Sequence, residues 1–77
     1  MDQQSSDAGQ GISVVVNGDS HQVPAGLTVT ALLERFDLKP GMVVVELNRE
    51  ILSRDHYGQT PVADGDRIEL VHFVGGG

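Results

Sequence analysis

The 77-residue sequence has no cysteine, no tryptophan, one tyrosine and two phenylalanines. Without cysteine, no disulfide can staple a small fold and no thiolate can hold zinc. So few aromatics leave no platform on which nucleobases could stack. Bases are scarce too: five Lys and Arg stand against eleven Asp and Glu, a formal charge of −6. That surface repels phosphate backbones and argues against nucleic-acid binding. It is compatible with basic patches on a protein partner, and equally with simple solubility. No segment approaches the ~20 apolar residues of a membrane span. The amino end also lacks the basic start and apolar run of a secretory signal, so no membrane association and a cytoplasmic location are expected.

Apolar residues are nearly absent from residues 1–11, MDQQSSDAGQG. This stretch reads as a disordered extension, native or appended. About 66 residues remain to fold, a size at which one core covers only about 60% of the unfolded chain's surface. A deep catalytic cavity would consume most of such a core.

What is present is patterned. Ile12, Val14 and Val16 alternate with Ser13 and Val15, the mark of a strand, and Asn17-Gly18 is the dipeptide of a tight hairpin. A returning strand runs over 20–23 until Pro24 ends it. Val29, Leu32, Leu33 and Phe36 then fall at i, i+3, i+4 and i+7, one stripe of an amphipathic helix with Thr28 as its N-cap. Pro40-Gly41 is expected to stop that helix. A third strand over 42–47, a turn at Asn48-Arg49-Glu50, a brief strand at Ile51-Leu52, a loop over 53–62 with at most a helical turn, and a turn at Asp64-Gly65-Asp66 follow. The last and longest strand spans 67–74, and the sequence ends in Gly75-Gly76-Gly77. The fold class is therefore α+β. One mixed sheet of four to five strands packs on one helix, with the first and last strands as neighbours and the helix as a right-handed crossover, a β-grasp arrangement. The folded domain is placed at 12–74 and a flexible tail at 75–77.

Ordinary catalytic groupings are missing. His21, His56 and His72 have no i, i+4 pairing and read as independent surface residues, so no metal site is expected. Asp64 and Asp66 flank a glycine, which is turn chemistry. Ser53 has no evident base. The terminal glycines follow a strand and precede no helix, so they are no phosphate loop. No catalytic residue and no bound cofactor are expected, and the chain reads as a non-enzyme. The tail stands out instead: three residues without side chains can enter a narrow channel where any Cβ would collide. By itself, such a tail could equally be frayed linker.

Several landmarks, in order, resemble the thiamine-biosynthesis sulfur carriers, a ubiquitin-like family. They are Val16-Asn17-Gly18, Pro24 and Gly26, Thr28-Val29 with Leu32-Leu33, Val45-Glu46-Leu47-Asn48, Asp64 to Glu69, and Phe73-Val74-Gly75-Gly76-Gly77. The resemblance covers residues 12–77. It implies that an adenylyltransferase akin to ubiquitin-activating enzymes uses ATP to convert the Gly77 carboxylate to an acyl-adenylate. A persulfide sulfur, supplied through a cysteine desulfurase or rhodanese-type donor, then displaces AMP and leaves a thiocarboxylate. Thiazole synthase receives the sulfur. Gly75, Gly76 and Gly77 would be the residues entering the partner's active site. Family members often carry an aromatic after the Ser53-Arg54 position; Tyr57 lies near it, slightly displaced, and is given no role.

Strand phase also marks a docking face. If Ile68 and Leu70 face the helix, Val71 and Phe73 emerge on the open side of the sheet, with Val15 and Val44 in the same outward phase. The alternative is that the loop over 53–62 folds across them. Rival readings of the whole chain are the small subunit of molybdopterin synthase, and a ubiquitin-like modifier or interaction module. The short folded part and the Val-Gly-Gly-Gly ending favour the thiamine branch.

Overall fold

The computed structural model describes residues 11–73, so the expected amino-terminal extension, apart from Gly11, falls outside the described residues, as do Val74 and the glycine tail. β1 (Gly11–Val16) and β2 (Asp19–Pro24) form the expected hairpin. Asn17 and Gly18 both take positive φ, 50° and 88°, the backbone twist that lets two residues join antiparallel strands. β1 begins at Gly11, which pairs with Pro24, one residue before the expected start. A helix, α1 (Val29–Arg35), follows, then β3 (Val43–Leu47), β4 (Glu50–Leu52) and β5 (Arg67–His72). Among the described residues, no helix is long and apolar enough to cross a membrane.

The helix starts as expected: Thr28 is extended, and its hydroxyl accepts the Ala31 N–H at 3.2 Å. Its end differs. Pro40-Gly41 stops nothing, because the chain has already left the helix at Asp37, whose φ is +63°. The Asp37 N–H donates to the Glu34 carbonyl and the Leu38 N–H to the Leu33 carbonyl, the paired bonds of a Schellman cap. Pro40 instead opens a short 3-10 turn, Pro40–Met42, so β3 begins at Val43 and Met42 lies outside it.

The strands form one mixed five-stranded sheet in the order β2-β1-β5-β3-β4. β1 and β5 are parallel neighbours, and β5 is central. One face carries the core: Val14 and Val16 of β1, Val43 and Val45 of β3, and Ile68 and Leu70 of β5 pack with Val29, Leu32 and Leu33 of α1. The alternation that was legible in sequence thus selects which face the helix covers, and the other face is left open.

Candidate functional site

Central β5 carries the chain to the end of the sheet and the last described residue, Phe73. Its helix-side residues Ile68 and Leu70 are buried, whereas Val71 is 59% and Phe73 44% exposed. Val44, 39% exposed, is directly opposite Val71 in the β3–β5 ladder. Three of the four expected docking residues therefore form one apolar cluster immediately before the tail. Val15 does not join them. It is half-buried and level with Arg67, at the opposite end of β5, because β1 turns away at Asn17 before it reaches Val71.

The loop after Ser53 leaves this face uncovered. It lies on the helix side, where the Tyr57 carbonyl accepts the Thr30 N–H and the Thr60 carbonyl accepts the Val29 N–H. Tyr57 is only 4% exposed, and its hydroxyl donates to the Val43 carbonyl at 3.2 Å. Sequence reading missed this core residue, since nothing periodic surrounds it.

The open face has a second half, built by residues whose outward phase is written in the sequence but whose pairing only the strand register sets. Glu46 faces Glu69 across the β3–β5 ladder, and like charges so placed repel. Arg49 and Arg67 line the same shallow depression. Arg49 takes a φ of +75°, a conformation that side chains rarely adopt, at the turn between β3 and β4. Ile51, 72% exposed, sits opposite Glu46 on this face. Charge thus gathers at one end of the face, with Ile51 beside it, and the Val44, Val71 and Phe73 cluster lies at the end where β5 leaves the sheet.

The remaining polar residues serve the fold. Asp64 accepts the Ser13 N–H at 2.8 Å, and Asp66 accepts the Ala63 N–H at 2.8 Å and the Asn48 side-chain amide at 3.0 Å. Their turn role is as expected. Two of the histidines are less independent than their spacing implies: His21 and His72 line one groove on the helix side, with the His21 ring edge-on to Phe36 at 5.0 Å. His56 lies elsewhere, on the 3-10 turn Arg54–His56. Among the described residues, no three His, Asp or Glu side chains form a ligand set.

Among the described residues, the architecture is thus one α-helix on a mixed five-stranded sheet, with an uncovered face beside the outgoing central strand. The ThiS family model matches residues 14–77. The chain belongs to the ThiS family. This bears out the resemblance to the thiamine-biosynthesis sulfur carriers. The chain is 33% identical over 66 residues to the sulfur carrier protein ThiS of Escherichia coli, covering 86% of this chain and all of that one. It is 39% identical over 66 residues to a thiazole synthase of Magnetococcus marinus, but spans only 20% of that protein's length. The crystal structure of a thiamine biosynthesis protein (ThiS) from Geobacter metallireducens superposes with a TM-score of 0.73 at 39% identity. That match covers 86% of this chain and 100% of the other, and it places the fold among the ubiquitin-like β-grasp proteins.

Proposed function

We propose that this chain carries sulfur for thiamine biosynthesis as a thiocarboxylate on Gly77. The observation that carries this reading is that the family match runs through residue 77 and so includes Gly75, Gly76 and Gly77. A carboxylate is a poor electrophile, so a partner adenylyltransferase activates it with ATP. The acyl-adenylate presents AMP as a leaving group. A persulfide sulfur on a partner protein displaces it to form an acyl disulfide. A second thiol of that partner cleaves the S–S bond, releasing the thiocarboxylate and closing a disulfide on the partner. The chain itself holds no catalytic group in this scheme and binds no cofactor. It supplies a terminus without side chains and a surface by which the enzyme recognises it. The cluster of Val44, Val71 and Phe73 is that surface, with the tail only a few residues away.

Thiazole synthase is the proposed recipient. Support comes from the relatives of that name, in which a stretch similar to this chain makes up a fifth of the protein. The family match favours this branch over a molybdopterin-synthase subunit or a protein modifier.

Intact mass after incubation with the adenylyltransferase, ATP and a sulfur donor tests the reading. Exchange of one oxygen for sulfur at Gly77 is expected. An adduct joined to a lysine instead would identify a modifier, and an unchanged mass would refute the carrier.

A further inference from the structure

The end of β5 differs on its two sides. In the ladder with β3, the odd-numbered residues of β5 make the bonds, ending with the Phe73 N–H donating to the Met42 carbonyl at 3.0 Å. The even-numbered residues face β1, as the Asn17 N–H donating to the Ile68 carbonyl demonstrates. Only two rungs join β1 to β5, Val15 with Arg67 and Val16 with Ile68. The hairpin then turns away, and the Asn17 side chain supplies a substitute rung. Its Oδ1 accepts the Leu70 N–H at 2.7 Å, and its Nδ2 donates to the Leu70 carbonyl at 3.1 Å. β5 continues past this point. The His72 N–H and C=O face the same side, and among the described residues neither has a backbone partner there. A central strand therefore ends in a short free edge.

That edge borders a groove in which Val16, Phe36, Leu38 and Leu70 supply the apolar lining and Asn17, Asp19, His21 and His72 the polar part. Its walls are mostly apolar, and they lie on the side to which every second residue of an added strand would point. The length of the tail fixes what can lie there. Gly77 is four residues beyond Phe73, a reach of at most ~14 Å. An enzyme that takes Gly77 into its active site must press against the end of β5. Of the two flanks, the one toward β3 is already paired.

We infer that an extended segment of the enzyme acting on Gly77 adds as a strand to the free edge of β5 at His72, setting an apolar side chain into the adjoining groove. Main-chain pairing of this kind gives affinity, and the pocket for the alternate side chain gives selectivity. The inference rests on the assignment of Gly77 as the reacting terminus. It differs from docking through the Val44 and Phe73 cluster, which lies on the other face of the sheet. Together the two surfaces would grip β5 from its open face and from its free edge.

Amide hydrogen exchange on the full-length chain, alone and with the adenylyltransferase and ATP, tests this directly. The His72 amide is expected to exchange rapidly alone and at least about tenfold more slowly in the complex. Resonances of Val16, Leu38 and Leu70 should shift with it. Adenylation of Gly77 with no change at His72 overturns the inference and leaves the Gly77 assignment standing. Absence of adenylation overturns both. Protection that appears without enzyme and grows with protein concentration overturns it in favour of a second copy. As a second measurement, His72→Pro removes the N–H but no bond of the β3 ladder. It should raise the KM for adenylation about three- to tenfold. An unchanged KM in a folded His72→Pro variant refutes the inference; should that variant not fold, the exchange measurement decides.

Discussion

Tyr57 and Phe73 occupy opposite sides of the same sheet and should fail in opposite ways. β4 is only three residues long and its pairing reaches from Leu47 back to Val45. The next outward carbonyl of β3, that of Val43, is instead satisfied by the Tyr57 hydroxyl. Tyr57→Phe leaves a buried carbonyl without that donor. It should cost about 1–2 kcal/mol and lower Tm by about 5–10 °C, with sulfur loading unchanged once folded; thermal unfolding and intact mass check the two halves. Phe73 is half-exposed at the end of the apolar cluster, so its removal should spare the fold. Phe73→Ala is expected to raise the KM for adenylation about tenfold or more, as loss of an interface anchor does. Tm should change by less than about 4 °C. Steady-state adenylation beside a melting curve separates these effects, and wild-type kinetics in Phe73→Ala would remove the docking role.

Among the elements, α1 contributes most to the core for its length. Its seven residues bury Val29, Leu32 and Leu33 completely. So short a helix has little stability in isolation, and tertiary packing with its two caps holds it. The N-cap was legible because Thr28 immediately precedes the apolar stripe. The C-cap was not: Schellman caps usually place glycine in the left-handed position, and here an aspartate stands in it. Asp37→Gly should relieve that backbone, stabilising the chain by about 0.5–1 kcal/mol, with Tm rising by about 2–8 °C. A fall in Tm would mean that the Asp37 side chain contributes something the backbone geometry does not explain. Both hairpin turns were expected from the sequence, but only Asn17-Gly18 carries the glycine that suits positive φ; Asn48-Arg49 reaches similar values without one.

For the whole molecule, the proposed chemistry lies in a chain terminus, so the fold acts as a handle for other enzymes. Any residue appended after Gly77 should abolish thiocarboxylate formation while leaving Tm within about 1 °C, since it replaces no residue of the buried core. Intact mass of a C-terminally extended variant checks this, and full sulfur loading on the extended chain would refute the Gly77 assignment. The sequence by itself determined the order of elements, the face each strand turns to the helix, the absence of cysteine chemistry, and the family, through landmarks spread from Val16 to Gly77. All of these are written in local periodicity, turn residues and spacing. Only the tertiary structure decided that Val15 stands apart from Val71, that Tyr57 belongs to the core, that Glu46 meets Glu69, and that β5 outruns β1 at His72. Each depends on the register between strands distant in the chain, and register is fixed by how the hairpins and the loop after Ser53 pack. The terminal glycines mark the proposed reacting end; the pairing of β5 with its neighbours set which surfaces lie at the end of that strand.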